Sequence, residues 1–382
     1  MAKQLPGSRL LRTLTRAAKT QQSTLRKLLV SYAATPPKKR ARKSASAQAH
    51  AQAPSGNGRR PQQSSPPAPG RWLAGRYSLP ISPGQAIVQQ MQYWLYLPKH
   101  IPDTVAQQGW PLIVMLHGCH QTATEFAEGT RMNRLAEDKG YAVLYPQQLV
   151  NLQAQRCWRW YDRSVQQGGG ETLALAALVK SVREQHSIDG RRIYACGLSA
   201  GAGMAAVLAL NHPELIAAVG LHSGPVFGVG HSPIGALHVM RNGALAQADA
   251  AILGVMQRRA TNASLRAAET MPAIPAVMIQ GEADQVVRPI NQQHLTRQWL
   301  QLNGIPEGPA TRVTEKSAGR GSKRNVYEIQ DYLVRRKLVL RVVRIAGLGH
   351  AWSGGDPNLR FNAEAGPEAS RMMLEFFGRH RR

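Results

Sequence analysis

Short apolar runs alternate with longer segments of helical periodicity from about residue 71 to the end of the chain. The runs predict strands at Tyr93–Leu97, Leu112–Leu116, Tyr141–Tyr145, Arg192–Cys196, Ala217–Leu221, Ala276–Ile279 and Leu338–Ile345. The periodic segments predict helices at Glu171–His186, Ala202–Asn211, Asn291–Leu302 and Glu368–Arg379. Several strands are apolar throughout, which is typical of a parallel sheet covered on both faces. The pattern predicts an α/β fold with a mostly parallel, doubly wound sheet.

Two stretches between these elements, 225–247 and 304–325, are rich in turn-forming residues and are predicted as long loops. In doubly wound sheets, sites form at the carboxyl ends of the strands. Residues that carry chemistry are therefore expected directly after predicted strands.

Charge is unevenly distributed along the 382 residues, which contain 48 Lys and Arg against 22 Asp and Glu. No acidic residue precedes Asp103, whereas that stretch holds 17 Lys and Arg. Residues 35–70 are rich in Pro, Ser, Gln and Ala, so they cannot bury enough apolar surface to offset their ordering entropy. The sequence predicts a basic, largely disordered arm over residues 1–70 and a single domain over residues 71–382.

Within this arm, residues 8–33 place apolar side chains at near-helical spacing between arginines and lysines. The spacing predicts a basic amphipathic helix that binds an anionic surface, and the alternative is a solvated tail. Nucleic acid is disfavoured as a partner, because the basic run Lys38–Lys43 has no interleaved aromatic residues and no nucleic-acid-binding signature follows it. The sequence shows no apolar run long enough to span a bilayer and no clear signal peptide.

The pentapeptide Gly197–Gly201 (GLSAG) lies between a predicted strand and a predicted helix. Strand, G-x-S-x-G and helix in this order are typical of a nucleophile elbow, whose tight turn would hold Ser199 clear of the sheet. A serine hydroxyl needs a base to accept its proton and a carboxylate to orient that base. When the serine lies on such an elbow, both partners follow it in the chain.

Asp284 is the candidate carboxylate, because it lies in the loop after the predicted strand Ala276–Ile279. Glu282 is the alternative, but Asp284 lies further into the loop and its shorter side chain fixes an imidazole more tightly. His350 is the candidate base, since it follows the last predicted strand and has glycines on both sides.

An oxyanion hole is expected from two backbone N–H groups. One belongs to Ala200, the residue after the nucleophile, and the other to Cys119, in the loop that begins with His117 after an early strand. A metal site at His117, Cys119 and His120 is disfavoured, because no complementary ligand cluster appears elsewhere in the sequence.

These motifs together resemble the polyhydroxybutyrate (PHB) depolymerase family of α/β-hydrolase esterases, which also includes feruloyl and acetylxylan esterases. The matching signatures occur in the family's order: His117–Gln121 with Phe126, Cys157–Tyr161, Gly169–Glu171, Gly197–Gly201 and Gly349–Gly355. The resemblance implies an α/β-hydrolase catalytic domain without cofactor or metal. It implies the same roles for Ser199, Asp284 and His350, and for Cys119 and Ala200.

The resemblance also implies substrate contacts by motif side chains, namely His117, Gln121, Trp158, Trp160 and Trp352. The expected substrate is a short-chain or hydroxyalkanoate ester, and plant polysaccharide esters with feruloyl or acetyl groups are the alternative. A non-catalytic hydrolase-like binding protein is the rival from another class. A polyester granule joins the candidate partners of the basic arm. The resemblance favours an extracellular or periplasmic location, whereas the lack of a clear signal peptide favours the cytoplasm.

Two of the three cysteines, Cys119 and Cys157, are predicted to lie at the carboxyl edge of the sheet. A bridge between them would hold the oxyanion loop in place, and two reduced thiols, the normal state in a reducing cytosol, are the alternative. Cys196 is predicted to be a buried apolar residue of the strand before the elbow.

Overall fold

The computed structural model describes residues 68–78, 90–148, 155–265, 273–318 and 324–382. The predicted helix over residues 8–33, and all but the last three residues of the predicted arm, lie outside the described residues. The strands are β1 (Arg71–Ser78), β2 (Gln90–Leu97), β3 (Trp110–Leu116), β4 (Ala142–Pro146), β5 (Ile188–Leu198), β6 (Ala218–His222), β7 (Ala276–Gly281), β8 (Arg312–Lys316), β9 (Tyr327–Val334), β10 (Lys337–Ile345), β11 (Trp352–Ser353) and β12 (Asn362–Ala363).

The first ten strands form one sheet whose two faces are covered by helices, and β11 and β12 form a separate two-stranded sheet. The helices are α1 (Asp103–Gln108), α2 (Ala123–Thr130), α3 (Met132–Lys139), α4 (Arg163–Gln166), α5 (Glu171–Gln185), α6 (Ala200–Asn211), α7 (Pro233–Asn242), α8 (Leu245–Leu265), α9 (Ile290–Leu302) and α10 (Ala369–Phe377). No helix in the described ranges is both long enough and apolar enough to cross a membrane.

The main sheet has the strand order β1-β2-β4-β3-β5-β6-β7-β10-β9-β8. The six central strands from β4 to β10 pair in parallel, whereas β1, β2, β9 and β8 extend the edges through antiparallel pairs. The prediction of a mostly parallel sheet is confirmed.

Strand β3 shows why the central strands are apolar throughout. Leu112, Val114 and Leu116 belong to the core that packs on α5 and α6. Ile113 and Met115 belong to the core on the other face, which packs on α2 and α10. Because successive side chains of a strand point to opposite faces, a sheet covered on both sides requires apolar residues at every position.

Both predicted long loops contain regular structure, so those two predictions are wrong. Within 225–247, α7 begins at Pro233, and the Ser232 side chain caps it by accepting from the Gly235 N–H. Within 304–325, β8 pairs with β9 at the edge of the sheet. Its sequence RVTEK is polar and largely exposed, so hydrophobic periodicity does not reveal it.

The topology gathers the predicted site residues at one edge of the sheet. β3, β5, β7 and β10 run parallel to one another through their neighbours, so their carboxyl ends lie on the same side. Those ends lead into His117, Ser199, Asp284 and His350, respectively.

Candidate active site

Ser199 lies at the junction of β5 and α6 in a backbone conformation with φ 57° and ψ −120°. This positive φ is costly for a residue with a side chain and persists only where the surroundings enforce it. Here the Ser199 N–H donates to the His222 carbonyl at 2.9 Å and the Ser199 carbonyl accepts from the Gly203 N–H at 3.0 Å. A Cβ at Gly197 or Gly201 would collide with the Leu116 carbonyl oxygen, so the turn needs glycine at both positions.

Asp284 is fully buried and accepts hydrogen bonds through both carboxylate oxygens. Its Oδ2 accepts from His350 Nδ1 at 2.8 Å, and its Oδ1 accepts from the backbone N–H groups of Val286 and Val287 at 2.9 and 3.0 Å. Burial alone would raise the pKa of the Asp284 carboxyl, but His350 and the two N–H groups outweigh burial and lower that pKa. Asp284 is therefore an ionised partner that fixes the imidazole with Nδ1 protonated.

Gln280, at the end of β7, supports Asp284 from behind and was missed by sequence reasoning. Its side-chain amide donates to Asp284 Oδ2 at 3.2 Å and to the Val287 carbonyl at 3.0 Å. A glutamine inside an apolar strand was the available signal, since a buried amide needs partners.

His350 and Ser199 line the same cavity, which has a volume of about 210 Å³. The Nε2 edge of His350 remains for the serine side, because Nδ1 is committed to Asp284. Within the described residues, no hydrogen bond joins the Ser199 hydroxyl to His350, although both side chains line the same cavity. The arrangement supplies a hydroxyl, an imidazole and a buried carboxylate in the order that acyl transfer requires.

The loop after β3 carries one of the two expected oxyanion donors. Cys119 and Ala200 both line the cavity. In the described part of the chain, neither backbone N–H donates to a protein acceptor. Two unpaired N–H groups beside a nucleophile can receive the negative charge of a tetrahedral intermediate.

His117 holds this loop from behind. Its Nδ1 donates to the Gly118 carbonyl at 2.8 Å, and its Nε2 accepts from the Gln148 N–H at 3.1 Å. Complete burial lowers the pKa of His117 to about 4, so the ring is neutral at physiological pH. Trp158 adds a bond from its indole N–H to the His117 carbonyl at 3.1 Å.

A disulfide joins Cys119 to Cys157, with their Cα atoms 4.3 Å apart. The bridge ties the oxyanion loop to the segment that carries Trp158 and Trp160. Cys196 is a buried free thiol in β5, and burial raises its pKa. The alternative of two reduced thiols at Cys119 and Cys157 is therefore not observed in this structure.

The side chains expected to contact substrate divide into two groups. Gln121 and Trp160 line the cavity. His117, Trp158 and Trp352 do not, and each is 1% exposed or less, so their expected substrate contact is corrected to a supporting position. Trp352 packs against the His222 ring and donates to Ser370 Oγ at 3.1 Å.

A further wall of the cavity was not anticipated from the sequence. The segment Arg360–Asn362 lines it, together with Pro225, Met240 and the pair Val286–Val287. These residues follow no motif, and long-range packing brings them to the site. In the described ranges, no group of three or more His, Cys, Asp or Glu side chains is placed to hold a metal ion.

Comparison with known proteins places this site in a family context. A family model described as esterase PHB depolymerase matches residues 91–321, which include Ser199 and Asp284 but not His350. Poly(3-hydroxyalkanoate) depolymerase C of Paucimonas lemoignei is 30% identical over 216 residues, 56% of this chain and 50% of that protein. Feruloyl esterase B of Thermothelomyces thermophilus is 27% identical over 217 residues, 56% of this chain and 71% of that protein.

The chain thus spans half the length of the Paucimonas lemoignei enzyme that it matches. Among solved structures, acetyl xylan esterase from Aspergillus awamori superimposes with a TM-score of 0.56 at 18% identity, covering 76% of this chain and 94% of that one. This likeness concerns the fold alone and confirms the predicted α/β-hydrolase architecture.

Proposed function

Because the chain belongs to the esterase PHB depolymerase family, we propose that it is a serine hydrolase of carboxylic esters with Ser199 as nucleophile, His350 as base and Asp284 as acid. One observation carries the proposal. The His350 imidazole, fixed by a fully buried carboxylate at 2.8 Å, lines the cavity that Ser199 enters from a strained elbow. Strain held at such a turn is typical of a functional residue.

In the proposed reaction, Ser199 Oγ attacks the ester carbonyl carbon while His350 Nε2 accepts the hydroxyl proton. The tetrahedral oxyanion accepts from the N–H groups of Cys119 and Ala200. His350 then gives its proton to the departing alkoxide, and an acyl-enzyme remains. Water attacks that acyl group with His350 again as base, which releases the carboxylic acid and restores the Ser199 hydroxyl.

For the substrate we propose a short-chain or hydroxyalkanoate ester. The small volume of the cavity and its lining by Met240, Val286 and Val287 suit a short acyl group. The names of the relatives favour feruloyl or acetylxylan esters as the second candidate. The alternative of a non-catalytic binding protein is disfavoured, because Ser199 and His350 line one cavity and Asp284 is hydrogen-bonded to His350.

The Cys119–Cys157 disulfide supports an oxidising compartment, and therefore an extracellular or periplasmic location. The basic sequence of the arm supports binding to an anionic surface or a polyester granule. Binding through such an arm weakens as the salt concentration rises.

A fluorophosphonate probe tests the proposal directly. Wild-type protein should be labelled stoichiometrically, Ser199→Ala should not be labelled, and Ser181→Ala, a serine on α5 outside the cavity, should behave as wild type. A panel of p-nitrophenyl acyl esters, 3-hydroxybutyrate oligomers, methyl ferulate and acetylated xylan then ranks the substrates. Turnover that persists in Ser199→Ala would overturn the mechanism.

A further inference from the structure

The charge of the cavity is one-sided. Among the described residues that line it, none is acidic, and Arg360 contributes a fixed positive charge. The Asp284 carboxylate is fully buried and bonded to His350, so Arg360 is the ionic side chain of the lining that a ligand could contact directly. A pocket lined by one sign of charge raises the local concentration of ligands of the opposite sign.

The Arg360 backbone is attached to the oxyanion loop. Its carbonyl accepts from the Asn362 side-chain amide at 3.0 Å and from Gln121 Nε2 at 3.5 Å. The same Gln121 accepts from the Gly118 N–H through Oε1 at 2.9 Å. One glutamine therefore links the Arg360 backbone to Gly118, the residue before the proposed oxyanion donor Cys119.

Phe361 lies beside the Arg360 guanidinium. The Arg360 guanidinium carbon lies 5.2 Å from the centre of the Phe361 ring. The His350 ring meets the same phenyl ring edge-on with centroids 6.5 Å apart. Phe361 has φ 62°, a strained value for a phenylalanine, and its carbonyl accepts from the Trp352 N–H at 2.8 Å. The Phe361 ring is therefore adjacent to both the Arg360 guanidinium and the His350 imidazole.

We propose that Arg360 forms an anion subsite that binds a free carboxylate located a few bonds from the scissile carbonyl of the ester. The inference rests on the proposed esterase function and narrows its substrate class to short hydroxyalkanoate esters that end in a carboxylate. A guanidinium binds a carboxylate through two parallel N–H bonds, and the Phe361 face restricts its orientation. Among the ion pairs of the described residues, none involves Arg360, so none competes for this carboxylate.

This subsite distinguishes chain ends from chain interiors. In a polyester of 3-hydroxyacids, a carboxylate is present at one terminus, and internal ester bonds carry none nearby. The subsite therefore favours release of units from the carboxyl end of soluble oligomers over cleavage within a polymer.

The test compares the dimer of 3-hydroxybutyrate with the same dimer capped as a terminal carboxamide. The two have nearly the same size and the same scissile ester, and differ in charge. Wild-type protein should hydrolyse the acid with a kcat/KM about tenfold above that of the amide, carried mainly by KM. Arg360→Ala should abolish this preference, and Arg360→Lys should retain part of it. Arg134→Ala, an exposed arginine on α3 outside the cavity, is the control and should match wild type.

Hydrolysis of the neutral ester p-nitrophenyl butyrate distinguishes a failure of the proposed function from a failure of the proposed anion subsite. If wild-type protein does not hydrolyse this ester, the proposed function is wrong. If wild type and Arg360→Ala hydrolyse it equally but wild type shows no preference for the acid, the subsite is wrong. A preference that survives in Arg360→Ala would also overturn the assignment.

Discussion

Replacement of Asp284 by asparagine tests the orientation of the imidazole while keeping the size of the side chain. The Asp284 Oδ1 position faces two backbone donors, the N–H groups of Val286 and Val287. The amide oxygen of asparagine must occupy that position, since the opposite orientation would set its NH₂ group against both donors. The NH₂ group then faces His350 Nδ1, which must become an acceptor. The proton of His350 moves to Nε2, where the base should accept the proton of Ser199.

The expected loss follows from this tautomer. An imidazole with Nε2 protonated cannot act as base toward Ser199, and kcat should fall by about 10⁴-fold, or about 5 kcal/mol of transition-state stabilisation. The variant should still fold, because both backbone bonds to the side-chain oxygen remain, and Gln280 Nε2, which loses its acceptor at Oδ2, keeps the Val287 carbonyl. The free energy of unfolding should change by no more than about 2 kcal/mol.

The assay is the steady-state hydrolysis of p-nitrophenyl butyrate, with urea unfolding of the same variant to establish its stability. Glu282→Gln is the matched control, because Glu282 is an exposed carboxylate in the same loop. It should retain wild-type kcat. An active Asp284→Asn beside an inactive Glu282→Gln would refute the assignment of the acid and the geometric reasoning behind it.

Three further predictions concern the surroundings of the site. Replacing Cys119 and Cys157 together by alanine should lower kcat by about ten- to a hundredfold, because the oxyanion loop loses its covalent link to the segment that carries Trp158. An unchanged kcat would contradict this. The pKa of His117 is lowered to about 4 in the folded protein, so as the pH falls the imidazole is protonated in the unfolded chain before it is protonated in the folded one. Protonation therefore favours the unfolded state. His117 should lower the free energy of unfolding below about pH 6.5, by about 2 kcal/mol at pH 5, and His222, whose pKa is lowered to about 3, should add a drop of similar size. In urea titrations, His117→Gln should show a shallower pH dependence. Deletion of residues 1–70 should leave kcat for p-nitrophenyl butyrate unchanged, because β1 begins at Arg71, and a lower kcat would place the arm within the domain.

The amino-acid sequence alone predicts those secondary-structure elements whose residues form a recognisable pattern within the element itself. Continuous apolar runs marked the central strands, because each of those strands is covered on both faces. Ser199, Asp284 and His350 each follow such a run directly, so parallel pairing alone brings them to one edge of the sheet. The polar edge strand β8 carries no such signal, since its order depends on pairing with β9.

The cavity wall depends on contacts between distant parts of the chain. Arg360 reaches the site because the Asp356 N–H donates to the Gly129 carbonyl at 2.8 Å and β12 pairs with β11. No local pattern encodes those pairs. A sequence motif indicates that its residues lie near the site, but not which way their side chains point. For this reason the prediction of substrate contact fails for His117 and Trp158, which are buried beneath the oxyanion loop.

Two buried histidines beside the site, His117 and His222, bear on the proposal that His350 is the base. His117 Nε2 accepts from the Gln148 N–H at 3.1 Å, and His222 Nε2 accepts from the Ser353 N–H at 3.2 Å. Burial lowers the pKa of His117 to about 4 and that of His222 to about 3. Protonation of either ring would break a backbone bond and place a charge in an apolar core. Neither ring is therefore available for the proton transfer proposed for Ser199, whereas His350 lines the cavity with Asp284 bonded to its Nδ1.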